Sequence, residues 1–176
     1  MSIKNLLVYH NIISMKVLKV RDVKLPERGT WRSAGLDFFI PIDLDWNKDC
    51  KGLFKIMGLT PECVVLPPGG SIVIPSGIKA KVPEGKALVA FNKSGIATKK
   101  SLQVGACVVD EDYQGEIHIH LVNVGSEPQA ITKGEKIVQF ILLNVSYQGV
   151  EEVHNFGELF EEVTVRGEGK FGSTNK

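Results

Sequence analysis

Short apolar runs separated by glycine and proline turns are the feature that most restricts the fold of this chain. Turn signals such as Pro67-Pro68-Gly69-Gly70 and Pro83-Glu84-Gly85-Lys86 separate segments rich in β-branched residues, at intervals of roughly ten residues. Helices of ordinary length do not fit between such breaks. The spacing therefore predicts an all-β sandwich or barrel made of short strands, with little helix.

The clearest strand pattern lies in residues 103–123, QVGACVVDEDYQGEIHIHLVN. An apolar run at 104–109 leads into a carboxylate-rich turn at 110–115, and the run that follows alternates strictly between two kinds of residue. Side chains alternate across a strand, so one row should face the core and the other solvent or a ligand. We predict a β-hairpin with an acidic tip. Its polar row is Glu116, His118 and His120, and its apolar row is Ile117, Ile119 and Leu121.

Two interpretations of this stretch follow from its chemistry. Asp110 ends an apolar run close to Tyr113, and a carboxylate so placed suits a general base in a partly dry pocket. The alternative for the same residues is a solvated acidic turn. His118 and His120 form an H-x-H pair, but two ligands without a third nearby are a weak zinc signal. Paired surface or interface histidines are the preferred interpretation.

Length and composition exclude several classes of protein. The 176 residues fit one domain, and a net charge of +1 gives no global field that favours nucleic acid or a membrane surface. No apolar run reaches the ~18 residues that span a bilayer. The odd set of cysteines, without a CxxC pair, predicts reduced thiols in a cytoplasm-like compartment. The three are Cys50, Cys63 and Cys107.

The chain divides into three parts by its pattern. We expect an N-terminal extension at 1–15, with Met15 as a second candidate start, and a β domain at 16–162. The glycine-rich end, 163–176, is predicted to be a flexible arm because it lacks an apolar pattern.

Two segments inside the β domain are predicted to be irregular. Residues 43–63 are interpreted as an inserted loop with a helical turn near 53–57, and residues 124–133 as a polar connector. Trp46 and Phe54 look exposed in the inserted loop, so it is either a partner surface or packing for a longer loop.

Four further stretches combine residues that suit ligand contact. Lys93-Ser94-Gly95 offers a cation, a hydroxyl and a glycine that lets main-chain N–H groups approach an anion. Residues 166–174 repeat that chemistry around a lone aromatic, Phe171. Asp37 lies at a strand start, and Gln139 lies inside a long β run. Each stretch also has a structural alternative. Residues 93–95 can be an ordinary turn, and residues 166–174 a disordered terminus. Asp37 can bond to its own main chain in a turn, and Gln139 can be an outward polar position on a half-buried strand.

Five segments occur in a fixed order: AGLDFFIPID, NKSGIA, VGACVVDEDYQGEI, GEKIVQFIL and RGEGKFGST. This ordered set resembles the five motifs of the trimeric dUTPases, and the resemblance spans about Val17 to Thr174. It implies a jelly-roll-like β fold and a homotrimer in which each active site is shared among chains. It also implies hydrolysis of dUTP to dUMP and pyrophosphate with Mg²⁺, which limits uracil in DNA and supplies dUMP for thymidylate synthesis. The implied location is the cytoplasm, or the host cytoplasm or nucleus for a viral or eukaryotic source.

The resemblance also implies roles for individual residues. Asp110 would orient and deprotonate the attacking water, and Tyr113 would lie against the deoxyribose and exclude a 2′-hydroxyl. Asp37 would reach Mg²⁺ through water. Uracil would be bound by Val104, Val108, Val109 and His118, and the phosphates by Lys93, Ser94, Gly95 and Gln139. The arm would close over the nucleotide with Arg166, Phe171, Gly172, Ser173 and Thr174.

Departures from the family pattern keep other interpretations open. Lys93 and Lys136 stand where arginine is usual in the family. Lys170 and Cys107 stand where glycine is usual. A dCTP deaminase is similar in fold but carries a glutamate where this chain has His120. The altered positions also leave open a nucleotide-binding or partner-binding protein on the same fold that does not hydrolyse its ligand.

Overall fold

Short antiparallel strands make up most of the structure, a computed structural model that describes residues 14–54 and 58–170, without the side chains at 53 and 54. The predicted all-β class with little helix is confirmed, because the described residues form thirteen strands and three helices of at most seven residues. In chain order these are β1 Lys16–Lys19, β2 Leu36–Phe39, α1 Trp46–Asp49, β3 Lys51–Phe54, β4 Gly58–Leu59, β5 Cys63–Leu66, β6 Ser71–Pro75, β7 Ile78–Lys81, β8 Lys86–Asn92, α2 Ser94–Lys100, β9 Leu102–Val104, β10 Val108–Val109, β11 His118–Asn123, β12 Gln129–Thr132, β13 Lys136–Asn144 and α3 Phe156–Leu159.

Two four-stranded sheets carry the core. Their strand orders are β10-β8-β13-β2 and β3-β6-β11-β9, and smaller sheets are formed by β12-β5-β4 and by β1-β7. Apolar side chains of both large sheets belong to one buried cluster, as expected when alternating strands bury one face each. Phe38 of β2 and Phe140 of β13 belong to this cluster, and their ring centroids lie 4.4 Å apart.

The alternation predicted for β11 is confirmed, but the predicted hairpin forms only at its base, where Val104 pairs with Leu121. Ile117, Ile119 and Leu121 are at most 2% exposed, whereas His118 is exposed. The run 104–109 splits into β9 and β10, which join different sheets: β9 pairs with β11, and β10 pairs with β8. The segment 105–107 makes this change of sheet, so β10 and β11 are not partners.

The inserted loop is more regular than its sequence indicates. It contains helix α1, which the Asp45 carboxylate caps by accepting from the N–H groups of Asn47 and Lys48. Of the helical turn predicted at 53–57, residues 53 and 54 belong to β3, and 55–57 lie outside the described residues. The expectation that Trp46 is exposed is wrong, since the indole is 2% exposed and fills the core. The Phe54 side chain lies outside the described part of the chain.

The predicted polar connector contains a strand that pattern reading missed. β12 pairs with β5 over four residues, and Ile131 is fully buried between Ala130 and Thr132. The few apolar residues of 124–133 do not alternate with polar ones, so only the pairing with β5 reveals the strand.

Contacts divide the chain into two units, 1–145 and 146–176. In the second unit, the Asn155 side chain caps α3 by accepting from the Glu158 N–H, and the rings of Phe156 and Phe160 pack at 5.2 Å. None of the helices in the described residues has the length and apolar character needed to cross a bilayer. Most of the predicted extension and the predicted arm residues Phe171 to Thr174 lie outside the described ranges.

Candidate active site

A small cavity brings together five of the residues that the sequence predicted for a nucleotide site. It has a volume of about 210 Å³, and buried Val109, Ile117 and Phe140 give it an apolar floor. Such a floor with a few polar groups at the edge suits a small planar ligand. The five predicted lining residues are Val108, Val109, Asp110, Tyr113 and His118, and Ala106, Cys107, Ile117 and Phe140 complete the wall.

Tyr113 is held in one orientation beside this cavity. Its hydroxyl donates to the Glu116 carbonyl at 2.9 Å, and its N–H donates to the Asp110 carbonyl at 3.2 Å. A Cβ at Gly115 would lie 2.3 Å from the Tyr113 oxygen, so the ring packs directly over a residue that must be glycine. A ring fixed by two contacts and tight packing can act as a steric wall.

Asp110 lies where the strand ends and the turn begins. β10 is anchored by the register Val109↔Leu88, and the turn is tied down because Glu111 accepts from the Gly85 N–H at 2.5 Å. The Asp110 carboxylate is exposed at the cavity, next to buried Val109. A carboxylate on a fixed backbone beside a ligand pocket has the placement that general-base chemistry needs.

A second cluster joins two lysines to one buried carboxylate. The Lys93 ammonium lies 3.0 and 3.1 Å from the two Asp37 oxygens, and the Lys136 ammonium lies 3.2 Å from one of them. The Asp37 side chain is only 7% exposed, so two cations balance one charge in a nearly dry place. Bonding to Asp37, with help from Glu27, raises the pKa of Lys136.

Comparison with known proteins shows what kind of chain carries these two clusters. The dUTPase family model matches residues 59–175. The chain belongs to the dUTPase family. The deoxyuridine 5'-triphosphate nucleotidohydrolase of Mus musculus is 34% identical over 151 residues, covering 86% of this chain and 78% of that protein. The one from Dictyoglomus turgidum is 32% identical, covering 88% and 92%.

Solved structures agree with the fold. The Staphylococcus bacteriophage 80alpha dUTPase with dUPNHPP has a TM-score of 0.67 at 23% identity and covers 92% of this chain and 98% of that one. A mutant dUTPase from phage phi11 of S. aureus, described for its structural Mg(II) ion, has a TM-score of 0.61 at 20% identity. It covers 82% of this chain and 99% of that one. At these identities the similarity shows the fold.

The remaining dUTPase motif residues of unit 1 lie near the lysine cluster. Gln139 faces Asp37 across the β13–β2 pair, and its amide donates to the Asn92 carbonyl at 2.8 Å. Lys93 precedes α2, which places Ser94 and Gly95 in its first turn, both exposed. Sequence reasoning found each of these residues but missed that Lys93 and Lys136 share one carboxylate.

Two predicted binding residues take other positions. Val104 lies outside the cavity lining in the described ranges, and its N–H donates to the Asn92 side chain at 2.7 Å. Arg166 is exposed and belongs to unit 2, where its carbonyl accepts from the Gly169 N–H. Their roles in nucleotide binding stay predictions.

The described side chains do not fit a directly bound resident metal ion. Within those residues, no three His, Cys, Asp or Glu side chains come together as a ligand set. Both Asp37 oxygens accept from Lys93, and a divalent cation there would face two ammonium groups. The alternative zinc pair also gains no support, since the Nδ1 atoms of His118 and His120 contact main-chain groups.

Proposed function

We propose that this chain hydrolyses dUTP to dUMP and pyrophosphate. The observation that carries the proposal is the single cavity that collects Val108, Val109, Asp110, Tyr113 and His118. The family membership supports the same reaction, because relatives more than 30% identical along most of the chain are deoxyuridine 5'-triphosphate nucleotidohydrolases.

The proposed chemistry is attack of water on the α-phosphorus. The Asp110 carboxylate takes a proton as the water oxygen bonds to phosphorus, and the bond from phosphorus to the bridging oxygen breaks to release pyrophosphate. Because the turn that carries Asp110 is fixed by β8 and Gly85, its main contribution is orientation of the water.

Base and sugar selection follow from the cavity wall. The volume of about 210 Å³ suits a single pyrimidine ring, and the apolar floor packs against its faces. The Tyr113 ring, held by Glu116 and Gly115, leaves no space for a 2′-hydroxyl in the proposed pose. A steric wall rejects a ribonucleotide without costing affinity for the deoxyribonucleotide.

The triphosphate is assigned to the basic groups of the second cluster. We propose that Lys93, Ser94, Gly95 and Gln139 bind phosphate oxygens, and that Arg166 pairs with the γ-phosphate. The arm residues Phe171, Gly172, Ser173 and Thr174 would then close over the nucleotide. We propose a homotrimer whose sites combine parts of different chains, as the resemblance to the trimeric dUTPases implies.

Magnesium is proposed to enter as part of the substrate. Mg²⁺ keeps several waters and binds phosphate oxygens, so a magnesium nucleotide needs few protein ligands. Asp37 can meet that ion through a water molecule when Lys93 turns from the carboxylate to the phosphates. A mutant dUTPase from phage phi11 is described as coordinating a structural Mg(II) ion, which is weak support for a role of magnesium in this chain.

A nucleotide panel tests the function. Pyrophosphate release is measured from dUTP, UTP, dCTP and dTTP, each with and without magnesium, and ammonia release from dCTP is measured in parallel. We expect pyrophosphate from dUTP alone, and more of it with magnesium. Ammonia from dCTP would instead support a deaminase, and tight dUTP binding without any product would support a non-hydrolytic binder.

A further inference from the structure

The imidazole of His120 contacts the chain segment that forms one wall of the cavity. We propose that His120 is a positioning residue, which fixes segment 105–107 and thereby sets the affinity for the nucleotide base. The proposal rests on the function proposed above, because it assigns a role at the same cavity.

The contact between His120 and the segment is made twice. The Ala106 N–H donates to Nδ1 of His120 at 2.9 Å, and the Gly105 N–H donates to the His120 carbonyl at 3.0 Å. A Cβ at Gly105 would come within 2.1 Å of the same Nδ1, so the ring lies directly against the main chain. Glycine is required at 105 for this approach.

Segment 105–107 has few other supports. It connects β9 in one sheet to β10 in the other and belongs to neither ladder. On its far side the Cys107 carbonyl accepts from the Ala90 N–H at 2.7 Å. Because Ala106 and Cys107 both line the cavity, the ring of His120 supports this wall from behind.

The bond specifies the protonation state of the ring. Nδ1 can accept from Ala106 only when it carries no proton, so the ring is neutral with its hydrogen on Nε2.

Two substitutions separate this role from general packing. His120→Val removes the acceptor, while His120→Asn places an amide oxygen near the position of Nδ1 and does not titrate. Val122→Ala, two residues along the same face of β11 and outside the cavity lining, is the matched control.

The first readout is affinity for a non-hydrolysable dUTP analogue by calorimetry at neutral pH. We expect His120→Val to bind about tenfold more weakly, the loss of roughly one hydrogen bond, with kcat within about twofold. His120→Asn and Val122→Ala should bind like the unmodified protein. Equal affinity in His120→Val would overturn the proposal.

The second readout does not depend on catalysis. Hydrogen exchange at the Ala106 amide should be slow in the unmodified protein and about tenfold faster in His120→Val, with little change in Val122→Ala. If dUTP is not hydrolysed but this difference is found, the proposed function fails while the contact stands. If dUTP is hydrolysed and the Ala106 amide exchanges equally in both, the positioning role fails.

Discussion

At the scale of single residues, Asp110 is the group on which turnover should depend most. Replacing it with Asn keeps the size of the side chain and removes its ability to take a proton. We expect Asp110→Asn to lower kcat by at least about 100-fold, with analogue affinity within about threefold. Pyrophosphate release and calorimetry measure the two quantities. Asp112→Asn on the same turn, outside the cavity lining, is the control, and undiminished turnover in Asp110→Asn would exclude this carboxylate as the base.

The lysines at Asp37 should govern access of divalent cations to that carboxylate. Lys93 alone contacts both Asp37 oxygens, so Lys93→Met frees accepting positions on a nearly buried carboxylate. We expect the nucleotide-free variant to bind Mn²⁺ about tenfold more tightly than the unmodified protein, since one repelling charge is gone. Water proton relaxation measures the affinity, and Lys99→Met, at an exposed lysine, is the control. Identical Mn²⁺ affinities would show that Lys93 does not keep cations from Asp37.

This ion cluster also shows why sequence predicts residues better than their partners. Asp37, Lys93 and Gln139 stand out because their types suit phosphate and metal chemistry. Their mutual contacts do not stand out, because Lys93 and Asp37 are 56 residues apart and meet only through the pairing of distant strands. The same holds for His120. The alternation of its strand predicted the face on which His120 lies, but not that its ring accepts a hydrogen bond from the Ala106 N–H.

At the scale of elements, local patterns predicted strands but not sheets. The alternation of 116–121 determines which side chains of β11 are buried, since the period is a property of the strand itself. Whether β10 pairs with β11 or β8 depends on the turn at 105–107 and on strands far away in sequence, so the hairpin prediction failed there. Trp46 was misjudged for a related reason: its neighbours are polar, and only the tertiary fold buries it.

One side chain ties the inserted loop to the β domain. Arg21, just after β1, donates to Glu116 at 3.1 Å and to Asp49 of α1 at 3.1 Å, and Glu116 also accepts from the Gly77 N–H at 2.7 Å. Arg21→Met should lower the free energy of unfolding by about 1–2 kcal/mol, because two carboxylates lose a charged donor. Urea denaturation measures this, with the exposed Lys19→Met as control. An unchanged midpoint would mean that solvent replaces these bonds without cost.

At the scale of the whole molecule, the proposed site draws on two parts of one chain. In that proposal the cavity holds the base and supplies the carboxylate, and the lysine cluster supplies charge for the triphosphate. The order of the motifs predicted the family, because order is preserved along one chain. The proposed sharing of the site among copies is not deducible from strand patterns, because it would depend on how symmetry joins surfaces of different chains.

The proposed shared site predicts that two inactive variants restore each other. Asp110→Asn keeps its arm but lacks the base, and a chain ending at 165 keeps the base but lacks the arm. If base and arm at one site come from different copies, trimers formed from an equal mixture should regain about a quarter of full activity, since each part is intact with a chance of one half. The mixture is refolded together, sized by sedimentation and assayed for pyrophosphate from dUTP. Each variant refolded alone is the control, and a trimeric mixture without recovered activity would place base and arm on the same chain.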